Sequence, residues 1–245
     1  MKVGLPTFVP KDRNARKTPA FRLRTGVRVR RSSQTTLVMS GVALVQKKPR
    51  CCTRVPEHCS FLPCPAKEYR MSSYVIRSEI PADRDHIFDV NVQAFGEDEE
   101  ARLVDTLRDG GNFNPALSIV AVHGDRIIGH ILFPPITIES DGAHVPALAL
   151  AVLAVHPLFQ CQGIGSALIV EVLGACRRLG HRIIIVVGHP KYYPLFGFTQ
   201  ARRQGIDVTF PCPDESLMAL PLVPGALDGV GGMVRYHPAL SLVME

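Results

Sequence analysis

A mixed α/β sheet of about seven strands with helices on both faces is the fold class that this sequence predicts, behind a basic, low-order N-terminal extension. Three observations predict it. Charge divides the chain: residues 1–70 carry 16 Lys and Arg against 3 acids, a net of +13, while residues 71–245 carry 12 against 19, a net of −7. The overall +6 averages two unlike parts, and the second part is long enough for one core of ordinary size. Short apolar runs then alternate with helical periodicities across the second part. Finally, an apolar strand ending at Val155 runs through Gly163 and Gly165 into an amphipathic helix.

The elements follow in order. Tyr74-Val75-Ile76-Arg77 alternates weakly and reads as a first strand. Pro81 suits the first turn of a helix, with Asp83 and Asp85 near its positive end and Ile87, Val90 and Ala94 as its inward stripe. A second helix spans roughly 98–108, with Leu103, Val104 and Leu107 inward, and Gly110-Gly111 stops it. Residues 118–122 and 126–133 read as strands around His123-Gly124-Asp125, a hairpin turn. Residues 148–155 read as one strand feeding the glycine turn. The next helix runs from 163 to about 179 on the stripe Ile164, Leu168, Val172, Ala175 and Leu179, and Gly180 ends it. Residues 183–187 are apolar on both faces, as in a central strand. The last strands fall around 207–210, 217–220 and 233–236.

The glycine turn carries the chemistry. Glycines remove side chains where backbone must approach something closely. The first N–H groups of the following helix lack intrahelical partners and coincide with the positive end of its dipole, so the turn suits phosphate. A dinucleotide fingerprint would need a third glycine where Leu168 stands. It would also need an acid about 20 positions on, and no Asp or Glu occurs between Glu171 and Asp207. A phosphate loop would need a Lys beside these glycines, and there is none. What remains, from Val155 to Gly165, is V-x-P-x-x-Q-x-x-G-x-G.

That pattern resembles the acyl-CoA pyrophosphate loop of the GNAT superfamily of N-acyltransferases. Gly188-His189-Pro190-Lys191-Tyr192-Tyr193-Pro194-Leu195-Phe196-Gly197-Phe198 resembles the same family's Y-x-x-x-G-F segment, in the form found in YhbS-like acetyltransferases. The tail from Leu217 to Pro238 is similar to that subgroup as well, so the resemblance covers about 74–245. It implies a largely antiparallel GNAT sheet and direct acetyl transfer from acetyl-CoA to a primary amine, small or peptidic. In such a reaction an oxyanion must be held, the CoA thiolate protonated, and the amine's proton removed. By position, the oxyanion donor is the backbone N–H of Val155 or its neighbour Ala154. Leu153, Ala154, Val155, Gln160, Cys161, Gln162, Gly163, Ile164, Gly165 and Ser166 would hold the cofactor, and Tyr193 would protonate the thiolate. Cys161 and Leu195 depart from the family's usual residues, Gly or Arg at the first and Arg at the second. A thiol at a helix start is a candidate nucleophile, although the family needs no covalent step. For the base, Glu97, Asp98, Glu99, Glu100, His189 and water compete, and His156 reads as a surface residue. The alternative is a non-catalytic GNAT-like module that binds acyl-CoA.

Three readings of residues 1–70 stay open: an inert extension preceding a start at Met71, a transit peptide, and a basic arm. Few aromatics there could stack on bases, which speaks against nucleic-acid binding as the main activity. Cys51, Cys52, Cys59 and Cys64 with His58 lack zinc-site spacing, so no metal is expected. The run over 36–46 falls far short of the roughly 20 residues of a membrane span. An odd, scattered set of 7 Cys points to a reducing, cytoplasmic compartment, or to an organelle if the extension is a transit peptide. A homodimer is compatible with the sequence.

Overall fold

The computed structural model describes residues 73–240 apart from 112, 141 and 239. The extension over 1–70, its boundary and the 51–64 cysteine cluster lie outside the described residues. No helix among the described residues is long and apolar enough to cross a membrane.

Among the described residues, eleven strands and three α-helices follow one another. β1 (Val75–Ser78) precedes α1 (Arg84–Phe95) and α2 (Glu99–Asp109). β2 (Ser118–His123), β3 (Arg126–Leu132), β4 (Pro135–Ser140), β5 (Ala143–Ala149) and β6 (Val152–Val155) then run into α3 (Ile164–Arg178). β7 (Ile183–Val187), β8 (Thr199–Gln200), β9 (Ile206–Asp207), β10 (Leu217–Pro221) and β11 (Gly232–Arg235) complete the fold. Two sheets form, one ordered β1-β2-β3-β6 and one of seven strands ordered β8-β10-β7-β5-β4-β11-β9. All ladders are antiparallel except β5–β7 and β9–β11. The expected mixed, largely antiparallel sheet of seven strands is therefore present, with a second sheet beside it.

The expected single strand over 148–155 is two. Leu150 N–H donates to Ile185 O of β7, and the next residue, Ala151, donates to Leu132 O of β3, both at 3.0 Å. Consecutive residues bond opposite neighbours, so the chain changes sheets there. Beyond it β6 stays with β3 and β7 stays with β10, and a gap opens between β6 and β7. β4 and the first half of β5 fall in a stretch for which no strand is predicted, and prolines stand in both. Pro135 opens β4, and Pro146 sits in β5 where only β4 pairs with it, since β7 joins at Leu148 and Ala149. A proline is tolerated at a strand start or on a free edge because no ladder donor is lost.

α3 packs against β2, β3 and β6 through Ile164, Leu168, Ile169, Val172, Leu173 and Cys176, each at most 5 % exposed. Burial of side chains this size contributes about 1.5–3 kcal/mol each. Leu179 belongs to the expected stripe but is the helix C-cap and 47 % exposed. α1 and α2 pack on each other, and α1 also lies on β3 and β6. A polar chain ties α1 to the first sheet: Asn91 Nδ2 donates to His130 Nδ1 at 3.1 Å, and His130 Nε2 lies 2.9 Å from Ser118 Oγ.

Candidate active site

The gap between β6 and β7 continues into a cavity of about 300 Å³. Its walls are Ala94 and Phe95 from the end of α1, Leu153 and Val155 from β6, and Phe159 to Cys161 with Gly163 to Ser166 from the turn and α3, with Tyr192 opposite. Of the residues expected to hold a cofactor, the structure brings Leu153, Val155, Gln160, Cys161, Gly163, Ile164, Gly165 and Ser166 to this one surface. Ala154 and Gln162 are not on it. Gln162 Nε2 instead donates to Leu158 O at 3.1 Å.

Strand geometry selects the open donors. Alternate residues of a strand turn their backbone groups to opposite edges. His156 N–H donates to Ile128 O of β3, so the even positions face β3 and Ala154 spends its N–H in that ladder. Leu153 and Val155 turn theirs toward the gap. The Val155 carbonyl on that edge accepts from Gln160 Nε2 at 3.0 Å, while the Leu153 carbonyl faces the gap beside its N–H.

The turn adds more donors. Gly163 is the N-cap of α3 at φ +82°, no side chain caps the helix, and its first turn holds no acid. The first intrahelical bond runs from Ala167 N–H to Gly163 O, so the N–H groups of Ile164, Gly165 and Ser166 have no acceptor within the helix. The two glycines serve different needs. Gly163 supplies a left-handed φ, and a Cβ there would meet nothing within 4 Å. A Cβ on Gly165 would stand 3.1 Å from the Tyr192 hydroxyl. Cys161 adopts φ +61°, the only left-handed residue other than glycine among the described residues.

Among the described residues, the cavity wall carries no carboxylate, imidazole, Lys or Arg, and the helix end and oriented N–H groups supply its electrostatics there. Its titratable groups are Cys161 and Tyr192. Burial raises the Tyr192 phenol above its ordinary value, partly offset by its contact with Ser166 Oγ at 3.4 Å. Tyr192 escaped the sequence reading because the Y-x-x-x-G-F register selects its neighbour. Tyr193 begins a 3-10 turn, Tyr193–Phe196, and its ring enters the core at 2 % exposure beside Tyr192 and Phe198. Burial pushes the Tyr193 phenol well above the usual range.

None of the candidate bases Glu97, Asp98, Glu99, Glu100 and His189 is among the residues that line the cavity. His189 is exposed and accepts from Lys191 N–H. Asp98 pairs with Arg102 at 2.8 Å, which holds its carboxyl below the ordinary value. His156 is buried rather than on the surface: its Nδ1 accepts from Leu158 N–H, and burial lowers its pKa.

Comparison with known proteins agrees with this architecture. Residues 84–198 match the Acetyltransferase (GNAT) family. The N-acetyltransferase YhbS of Escherichia coli is 31 % identical over 164 residues, 66 % of this chain and 96 % of that protein. The crystal structure of E. coli YhbS in complex with CoA superposes with a TM-score of 0.65 at 30 % identity, covering 69 % of this chain and 92 % of the other. A Brucella melitensis GNAT acetyltransferase in complex with acetyl-CoA gives 0.57 at 31 % identity, covering 69 % and 98 %. The chain belongs to the GNAT family of acetyltransferases.

Proposed function

We propose that residues 71–245 form an N-acetyltransferase domain that moves an acetyl group from acetyl-CoA directly to a primary amine. One observation carries the reading. Three N–H groups without a helical acceptor, at Ile164, Gly165 and Ser166, and the open N–H groups of Leu153 and Val155 converge on one uncharged cavity. This is the donor set that a diphosphate followed by an amide-rich thioester arm needs. The relatives with CoA and acetyl-CoA bound support it.

The diphosphate is assigned to the backbone from Cys161 to Ser166, with Gln160 bracing the turn on β6. The arm follows the free edge of β6. Val155 N–H is the proposed oxyanion donor, with Leu153 N–H on the same edge, while the Ala154 N–H is committed to β3. Tyr193 is the proposed acid for the departing thiolate. Its ring packs in the same core cluster as Leu153 of the cavity wall, and it is protonated at neutral pH. The acceptor amine loses its proton to one of the groups in competition for that role, Glu97, Asp98, Glu99, Glu100, His189 or water.

The sealed position of Tyr193 favours one second reading, a domain that binds acyl-CoA without turning it over. Release of free thiol from acetyl-CoA across small amines, polyamines, amino acids and peptides separates the two. Turnover with at least one amine is expected, and Tyr193→Phe should lower kcat by about 100-fold with CoA affinity kept. CoA binding with no thiol release from any amine class leaves the binding module. A chain starting at Met71 should keep the melting temperature and CoA affinity of the full chain, because the removed segment is too polar to build a core. Loss of soluble, CoA-binding protein on that truncation moves the domain boundary upstream.

A further inference from the structure

We infer that Tyr192, and not only the backbone of the turn, binds the CoA arm: its hydroxyl is a side-chain donor aimed at the same anion-binding turn. The inference rests on the reading that this cavity takes CoA. Three observations carry it. The Tyr192 hydroxyl stands 3.4 Å from Ser166 Oγ, in the first turn of α3 and on the cavity wall. Gly165 leaves the space that the hydroxyl fills, since a Cβ there would approach it to 3.1 Å. The ring is fixed from two sides by T-shaped contacts with Tyr193 and Phe196, both with centroids 5.3 Å away.

The chemistry follows from donor counting. A phenol O–H can give one proton and accept others. At 3.4 Å its partner in the free protein is a distant hydroxyl, so the contact is weak. An anionic oxygen at the turn offers a better acceptor, and hydrogen bonds to charged groups are the stronger class. Binding would therefore exchange the Ser166 contact for a phosphate oxygen of the CoA arm, with the ring already in place and little rotamer freedom left to lose. Burial keeps the phenol protonated, and so a donor, across the neutral range.

The test is Tyr192→Phe in the full chain, which keeps the ring and its two aromatic contacts. Calorimetry with CoA should show Kd raised by about 10-fold or more, the usual size for a hydrogen bond to a charged group. The loss should appear in the KM for acetyl-CoA more than in kcat. ADP, which carries the diphosphate without the pantetheine arm, should weaken in parallel with CoA. An unchanged CoA Kd in Tyr192→Phe, with wild type binding CoA and the variant melting normally, overturns the inference and leaves the acetyltransferase reading intact. A fall in kcat at unchanged Kd also overturns it, because the hydroxyl would then act on the reacting centre. Failure of wild type to bind CoA would instead remove the reading beneath it.

Discussion

The uncapped turn at Gly163 and the cluster around His130 treat polar groups in opposite ways. At the turn, three helix N–H groups lack helical acceptors, the first turn of α3 holds no acid, and the described cavity wall is uncharged. Around His130 almost every polar atom is matched. Asn91 Nδ2 donates to Ile87 O and to His130 Nδ1, so His130 carries its proton on Nε2 and donates to Ser118 Oγ. Ser118 O–H donates in turn to Glu79 Oε2, and Arg108 closes the chain on Glu79. Asn91 Oδ1 is the exception, buried with no hydrogen-bond partner among the described residues. Unmet donors that border a cavity are a binding surface, whereas matched groups sealed from water hold α1 and α2 on the sheet. The two regions are joined: Asn91 lies one helical turn before Ala94 and Phe95 of the cavity wall.

The sharpest way to break this contrast is Gly165→Val. The branched side chain enters the space of the Tyr192 hydroxyl and the approach to the turn. CoA affinity should fall by at least about 100-fold, the scale of losing several charge-assisted hydrogen bonds together. Circular dichroism should still show the fold, because the core face of α3 is untouched. Equal CoA affinity in wild type and Gly165→Val, measured by calorimetry, would dismiss the turn as the anion site.

The converse change belongs to the sealed cluster. Glu79→Leu leaves the Arg108 guanidinium, 13 % exposed, with Asp105 as its remaining carboxylate partner and Ser118 without its acceptor. Leaving a buried hydroxyl without its acceptor and a half-paired guanidinium costs about 1–3 kcal/mol, read as a lower urea midpoint. CoA affinity of the folded protein should change little. A CoA Kd that weakens tenfold at a temperature where the variant is fully folded would show that the cluster sets the cavity wall as well as stability.

Acid titration probes the same cluster without mutation. Burial, with Arg108 nearby, lowers the His130 pKa from 6.5 to about 3. Between these values the unfolded chain binds a proton that the folded chain refuses. This contribution to stability is therefore complete above about pH 6.5 and is lost progressively as pH falls toward 3. Urea midpoints should decline over that window, and His130→Gln should flatten the decline. A variant with the same slope as wild type would assign acid sensitivity to other groups.

Much of this was legible in the chain. Strand β7 has the bounds that its five apolar residues predict, and α3 begins where Gly163 and the stripe place it. Periodicity could find these because one burial pattern runs the length of each element. It failed where burial changes partner mid-strand: at Leu150 and Ala151 the residues stay apolar while the hydrogen bonds pass from one sheet to the other. It also failed at β4 and β5, whose prolines are harmless only because of which edges are free. The turn's glycines were readable because φ and close approach act locally. The choice between Tyr192 and Tyr193 was not, because a 3-10 turn decides which ring enters the core and which meets Ser166. The His130 cluster joins residues up to 39 positions apart, and nothing in local spacing announces it.

The smallest effect separates the turn's backbone from its side chains. Cys161 holds a left-handed φ of +61° on the cavity wall. A side chain in that conformation costs roughly 1–2 kcal/mol, because its Cβ crowds the carbonyl. Glycine removes that cost but loses about 0.5–1 kcal/mol through greater freedom in the unfolded chain. Cys161→Gly should therefore be neutral to slightly stabilising, by up to about 1 kcal/mol, or a few degrees in melting temperature for a domain of this size. If the turn binds through its N–H groups, CoA affinity should be kept. If transfer is direct, turnover should be kept too, because no acyl group ever rests on the thiol. Turnover lost in Cys161→Gly at unchanged CoA affinity, with an acetylated enzyme trapped in wild type, would replace direct transfer by a two-step route through Cys161.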